Sequence, residues 1–485
     1  MSTHGRPGGT DSAPGALTDG TGTGLLTDHY ELTMVSAALR SGAARRRAVF
    51  EMFARELPGG RRYGVVAGTG RFLRALEAFR FSADDIGFLR RNGIVDENAA
   101  RFLAAYQFRG DIWGYAEGDC YFPGSPILVV EATFAEAVVL ETLALSIFNH
   151  DCAVASAASR MVTAADGRPI IEMGSRRTHE RAAVAAARAA YLAGFATTSN
   201  LRAGYEFGVP TAGTSAHAFT MVHDDERQAF TVQLEALGKG TTLLVDTYDV
   251  ARAVRTAVEL AGQDLGAVRI DSGDLREVAH AVRAELDSLG ATGTRIVITG
   301  DLDEHAIAAL ASAPVDGYGV GTALVTGSGV PTAALVYKLV AREDRAGALA
   351  AVAKRSVGKP TIGGRKWALR LLDATGTATG EVVSARPPAD LESAAGGEPM
   401  AAGTGQTSAR QAGSARRRRR VLLRQLVRGG EIVGDEPLTA ARERHQRALH
   451  ELPSGALRLS SGDPAIPTLI RPRHASTGNG AGATR

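Results

Sequence analysis

A series of short apolar runs between Ile170 and Gly327 ends, run after run, in side chains that can hold an anion, a sugar hydroxyl or a cation. The runs deliver Arg176, Arg177 and His179, then Thr198, Ser199 and Asn200, then His217. Asp246, Tyr248 and Asp249 follow, then Arg269, Asp271, Ser272 and Asp274, then Asp301 and Asp303, and finally a glycine loop from Gly317. Arginines beside glycines suit phosphates and a carboxylate. The several acids suit sugar hydroxyls or Mg²⁺, which prefers oxygen ligands.

Two of these tips carry the clearest chemistry. In DGYGVGTALVTG (Asp316 to Gly327), Gly319 and Gly321 let the backbone approach an anion, and Thr322 adds a hydroxyl at a helix start. The loop lacks the Lys-Ser/Thr ending of a P-loop, and a plain turn closing the last strands is the alternative. VRIDSGDL sets Arg269 and Asp271 on one side of a strand end, with Asp274 beyond a glycine. Such a couple can bind a sugar phosphate and hold ribose or a metal-bound water; an internal ion pair with an Asp helix cap is the alternative. His217 and His179 each stand alone, and a lone histidine is more often structural than catalytic. Neither has zinc-ligand spacing.

The elements that must position these groups read as strand-then-helix units, with alanine-rich helices such as ARAVRTAVELAG and LREVAHAVRAELDSLG between the apolar runs. That rhythm predicts parallel strands, and at least six strand tips before Gly327 favour a closed or nearly closed α/β barrel. Residues 1–24 read as a polar, glycine-rich tail, and 25–130 as the first part of an α/β domain. Residues 131–345 form the expected barrel, and 346–464 complete the smaller domain around a Pro/Gly/Ala/Ser-rich linker at 386–415. Residues 465–485 read as a second tail.

Composition narrows the function. The 485 residues can bury a large core, and a formal net charge of +3 gives no basic surface dense enough for nucleic acid. The run Arg416 to Arg420 lacks aromatic partners and reads as a solvated loop. Lysine is confined to Lys239, Lys338, Lys354, Lys359 and Lys366, so the abundant arginines reflect a compositional bias. Cys120 and Cys152 cannot build a disulfide scaffold, and the sequence reads as having no signal core and no apolar run of membrane-spanning length. A cytoplasmic enzyme, with neither nucleic acid nor membrane as partner, is the expectation.

LLTDHYELTM, EMGSRRTHE, AGFATTSN, FGVPTAGTSAHAF, LLVDTYD, VRIDSGDL, ITGDLDE and DGYGVGTAL, in that order, resemble the nicotinate phosphoribosyltransferase family, with the similarity running from Leu25 to Leu438. The resemblance is nearest to its bacterial branch. It implies an irregular (β/α) barrel of the type II phosphoribosyltransferase kind, with a second α/β domain formed from both chain ends, usually in a homodimer. The activity it implies joins nicotinate to 5-phosphoribosyl 1-diphosphate, giving nicotinate mononucleotide and pyrophosphate for NAD salvage. ATP hydrolysis is coupled through a phosphorylated histidine, which by the SAHAF block is His217.

The same resemblance assigns roles. Tyr30 stacks on the pyridine ring and reaches a partner's site, and Met173, where relatives often carry Phe, covers the other face. Arg176, with Arg177 or His179, binds the carboxylate; Arg269 and Asp271 act at phosphate and ribose. Gly300 or Asp301 and Gly319 to Thr322 cradle the 5′-phosphate, with Thr198, Ser199, Asn200 and Asp274 as further substrate contacts. Asp246 and Asp249 orient the imidazole or help hold Mg²⁺, with the choice left open. A nicotinamide-using relative and a non-catalytic nucleotide-binding protein on the same barrel are the rivals; Arg176 and Arg177 favour the acid over the amide.

Overall fold

A computed structural model describes residues 22–354, 362–387 and 418–471. The strand-then-helix rhythm folds as expected into a six-stranded parallel sheet. Its order is Thr197–Thr198, Ile170–Glu172, Gly317–Val320, Arg295–Gly300, Ala267–Ile270 and Thr242–Leu244. Each strand is short and buried, so the sheet curls and a helix follows nearly every strand. The run VPTAGTSAH contributes a single parallel bridge, Thr198 to Thr211, beside the edge strand Thr197–Thr198. The enclosure is thus an irregular barrel, and every strand points its C-terminal end to the same mouth.

The second part is a seven-stranded sheet with antiparallel pairing, drawn from both chain ends. Its central strand Arg47–Ala54 pairs with Leu128–Thr133 on one side and Leu335–Glu343 on the other. Strand Leu335–Glu343, read with the barrel from sequence, therefore belongs to this sheet. Asp111–Tyr115 pairs with Leu128–Thr133, while Cys120–Tyr121 pairs with Gly64–Val65.

Two expected tails and one expected loop are partly ordered. Thr23 is buried, its amide and hydroxyl bonded to the carbonyls of Ala78 and Ala75. Thr468–Arg471 pairs in parallel with Ala378–Ser384, because that strand's outer edge would otherwise leave its backbone groups unpaired. Arg418–Val421 is a strand rather than a solvated loop: Arg420 forks onto Asp119, whose buried charge needs a cation, and also bonds the half-buried Glu451. Of the expected linker 386–415, only Arg386 and Pro387 lie among the described residues, and Arg416 and Arg417 lie outside them.

The long helix Glu141–Ala165 joins the two parts. Its first half, with Leu143, Ile147 and Phe148, packs into the core of the antiparallel part; Val154 to Met161 pack into the barrel core. Alanines at Ala155, Ala157 and Ala158 let the equally alanine-rich helix Glu180–Ala193 lie close against it. Contrary to the expectation of no apolar run of spanning length, the stretch Phe134–Ala165 has the length and apolarity to cross a membrane, yet 67% of its most apolar window is buried inside the protein. It is a core element here. A second latch is Glu117, which accepts both guanidinium arms of Arg188 and the backbone N–H groups of Gly68 and Gly70.

Candidate active site

A local rule recurs in the βα turns at the barrel mouth. Five of the helices are started by a side chain that accepts their first free N–H groups (His179, Asn200, Asp249, Asp274 and Asp303), whereas Thr322–Val325 and His217–Met221 have no such cap. Asp249 accepts from Arg252 N at 2.8 Å, and Asp274 from Arg276 and Glu277 N at 3.2 Å. These groups are thereby engaged in capping. Of the two acids left open at this turn, Asp246 rather than Asp249 faces the histidine.

His217 opens the short helix His217–Met221. Its Nδ1 lies 3.1 Å from Thr247 Oγ1, and its Nε2 lies 3.9 Å from both Asp246 Oδ1 and Asp271 Oδ2. The Asp246 side chain is only 2% exposed. Its Oδ2 accepts from Asp271 N and Ser272 Oγ, while its Oδ1 is buried without a hydrogen-bond partner. A buried carboxylate oxygen left open beside an imidazole is unfavourable unless a ligand or cation completes it.

Arg269 lies 3.7 Å from Asp271 and is held on three sides, by Thr299 Oγ1, Thr214 Oγ1 and the Ser215 carbonyl. Burial pushes its basicity down; Asp271 and Asp246 oppose that, and Arg176 adds to it. Arg176, exposed on the turn after Ile170–Glu172, lies near enough for its charge to act on Arg269. Thr299, which sequence reasoning missed, accepts from Arg269 Nε at 3.0 Å and donates to Asp271. It is the hinge of the Arg269–Asp271 couple.

Glycines shape the adjoining wall. Gly319 pairs in register with Thr299, and a Cβ there would come within 2.5 Å of Thr299 Cγ2 and 2.8 Å of Met173 Sδ. Met173 thus lines the wall with its thioether, its amide bonded to Val320 O. Gly321 faces the Met173 carbonyl, and Gly300 adopts φ +143°, which favours glycine. Asp301, Thr322, Arg176 and Arg177 are exposed around this wall.

Glu172 is the other residue missed from sequence. Fully buried, it accepts from Gly174 N, at the start of the turn that carries Arg176, and from Thr198 Oγ1. Burial raises its pKa. Thr198 is itself buried, and Asn200 reaches across to Ser175 Oγ at 2.9 Å while Ser199 N bonds Glu172 O. Thr198, Ser199 and Asn200 thus brace the turn. His179 is largely exposed at its helix start, with Glu180 3.6 Å away.

The structure brings His217, Asp246, Arg269, Asp271, Met173 and Gly319 together, while Arg176 is exposed on the neighbouring turn. Tyr30 stands elsewhere in the chain: on helix His29–Ser41, its phenol is raised in pKa by burial and by Glu141, Glu31 and Asp28, none of them at the barrel mouth. Among the described residues no set of three or more His, Cys, Asp or Glu side chains is arranged as a preformed metal site.

A curled parallel half-barrel with cationic, acidic and glycine groups at one mouth, plus a second domain from both chain ends, defines the type II phosphoribosyltransferase class. The model of the nicotinate phosphoribosyltransferase N-terminal domain matches residues 25–149, and that of the nicotinate phosphoribosyltransferase family matches residues 169–362. The chain belongs to the nicotinate phosphoribosyltransferase family. It is 57% identical over 459 residues to nicotinate phosphoribosyltransferase pncB1 of Mycobacterium tuberculosis, covering 93% of this chain and 95% of that protein. It is 37% identical over 329 residues to the nicotinate phosphoribosyltransferase of Bacillus subtilis, covering 66% and 67%. The crystal structure of human nicotinic acid phosphoribosyltransferase superposes with a TM-score of 0.73 at 26% identity, covering 92% of this chain and 97% of that one.

Proposed function

We propose that this chain joins nicotinate to 5-phosphoribosyl 1-diphosphate, forming nicotinate mononucleotide and pyrophosphate in NAD salvage. The observation that carries this is the convergence of Arg269, Asp271, Asp246 and His217 beside the Gly319 wall, in a member of this family. The ring nitrogen of nicotinate forms a bond to the anomeric carbon as the bond to the diphosphate oxygen breaks, and the electron pair leaves with pyrophosphate. Positive charge builds on the ribose and negative charge on the leaving group. Positioning and fixed charge therefore matter more than a base.

In this reading Arg269 neutralises phosphate and Asp271 holds the ribose and its developing charge. Arg176, with Arg177, attracts the nicotinate carboxylate, and Met173 covers one face of the ring. Gly300, Gly319 and Gly321 give the 5′-phosphate a close backbone approach. Tyr30 would reach the ring from a second copy in a homodimer. Mg²⁺ fits here too: Asp246 Oδ1 and Asp271 are oxygen donors, and the ion needs only one or two carboxylates besides substrate phosphates and water. When bound, it supplies charge neutralisation at the diphosphate.

ATP is the co-substrate in the same proposal. An imidazole nitrogen of His217 forms a bond to the γ-phosphorus, the bond to the ADP oxygen breaks, and ADP leaves with the pair. His217→Ala abolishes ATP hydrolysis and ATP-stimulated turnover while leaving slow, ATP-independent nucleotide formation; full coupling in that variant overturns the phosphohistidine. Turnover on nicotinate and nicotinamide with the same phosphoribosyl donor tests the substrate. Equal rates, or a preference for the amide, overturn it.

A further inference from the structure

Thr247 follows Asp246 directly, yet the two residues address opposite edges of one ring: Asp246 faces Nε2 and Thr247 holds Nδ1. Among the described residues, His217 Nδ1 is the one hydrogen-bond partner of the Thr247 hydroxyl, and that hydroxyl is the one hydrogen bond of the imidazole. The acids lie at 3.9 Å, beyond hydrogen-bond distance. His217 itself is 36% exposed and sits at the first residue of a five-residue helix, so its surroundings alone do not fix the ring.

From this geometry we infer that Thr247 is a positioning residue that anchors the His217 imidazole between Asp246 and Asp271 and serves either of its neutral tautomers. The proposal rests on the phosphohistidine reading above. A ring that accepts a phosphoryl group must keep one nitrogen bare and the proton on the other. A hydroxyl is the side-chain group suited to that need: it donates to Nδ1 when the proton is on Nε2, and accepts from Nδ1–H when Nε2 is bare. A carboxylate would accept only, and an ammonium would donate only. The anchor therefore stays intact while the proton changes sides. Burial of Asp246, with its Oδ2 tied to Asp271 N and Ser272 Oγ, keeps the opposite wall rigid during that change.

Thr247→Val keeps the shape of the side chain and removes the hydrogen bond; Thr247→Ser keeps the hydroxyl. In Thr247→Val, kcat for ATP hydrolysis falls by about 10- to 100-fold, the scale of one lost hydrogen bond together with a misplaced reacting group. The KM for ATP and the rate of ATP-independent nucleotide formation stay near parental values, a split that general misfolding does not produce. Thr247→Ser restores ATP hydrolysis. Undiminished ATP hydrolysis in Thr247→Val, or a Thr247→Ser as impaired as Thr247→Val, overturns the anchor. His217→Ala, assayed in parallel, separates the two ideas: retained coupling there overturns the phosphohistidine, whereas lost coupling there with full coupling in Thr247→Val overturns only the role of Thr247.

Discussion

A methyl group at Gly319 tests the site at its narrowest point. The added Cβ lies 2.5 Å from Thr299 Cγ2, 2.8 Å from Met173 Sδ and 3.1 Å from Met173 Cε. Ordinary carbon contacts begin near 3.5 Å, so Thr299 must yield by about 1 Å. Gly319 carries no positive φ, so the backbone adds no strain of its own. Overpacking of this kind costs about 1–3 kcal/mol, a modest change in thermal midpoint for a chain of this size. The larger effect is on activity. Thr299 Oγ1 joins Arg269 Nε to Asp271, so its displacement shifts both groups, and a ~1 Å misplacement costs about 100-fold in kcat/KM. Gly317→Ala, two residues back on the same strand, meets nothing closer than 3.3 Å and should retain near-parental activity.

Thr299→Ser removes Cγ2 and keeps Oγ1, so Gly319→Ala/Thr299→Ser leaves the flexible Met173 thioether as the nearest obstacle, at 2.8 Å. Steady-state kinetics with nicotinate and 5-phosphoribosyl 1-diphosphate should then recover most of the loss, a strong non-additivity between neighbours. Parental kcat/KM in Gly319→Ala, or a double variant no better than the single one, refutes the assignment of this wall to the site.

Other expectations follow from groups outside the cleft. Both thiols are buried, and burial pushes Cys120 up to about 12 and Cys152 higher still, so neither reacts with a disulfide reagent until the chain is unfolded. A fast native-state reaction would contradict their placement. Burial lowers His445 from 6.5 to about 4, with Nδ1 on Gly118 O and Nε2 on Ser159 Oγ. Its unfolded form takes up the proton first, so the contribution is complete above about pH 6.5 and is lost as pH falls toward 4, near 2 kcal/mol by about pH 5. The urea midpoint of His445→Gln should therefore fall less between pH 7.5 and 5 than the parent's, and an equal fall counts against it. Arg370 and Glu381 are both fully buried and paired; Arg370→Met strands the carboxylate and should cost about 3–5 kcal/mol in denaturant titration, more than replacement of both partners by apolar residues.

Much of the fold was legible because its signal is local. Strand runs such as RIVITG and AVRI alternate with alanine-rich helices, and that rhythm alone implies parallel pairing. What escaped was long-range. Thr468–Arg471 pairs with Ala378–Ser384 across about ninety residues of chain, and Leu335–Glu343 returns to a strand near the N-terminus. No window of sequence carries those partnerships. Glu172 and Thr299 escaped for a related reason: each acts through a neighbouring strand in a register that only the folded sheet defines.

The acids at the barrel mouth reveal a finer rule. The turns VDTYD, DSGD and DLD each carry two aspartates, and the strand tip and the helix start divide them. Asp249, Asp274 and Asp303 immediately precede helices and satisfy free backbone N–H groups there. Asp246 and Asp271, each three residues earlier, sit where the strand ends and face His217. A strand tip must supply the ligand, while the helix start must satisfy its own first turn, so one βα turn needs two polar groups for two unrelated reasons. In these three turns, counting aspartates at strand tips therefore overstates the site twofold, and the residue directly before a helix is the one to subtract. By that rule Asp301, which precedes its helix cap by two residues and is exposed at the mouth, belongs with Asp246 and Asp271, and Asp301→Ala should impair turnover where Asp303→Ala, which removes the cap, chiefly lowers stability by about 0.5–2 kcal/mol. Equal loss of turnover in both would break the rule.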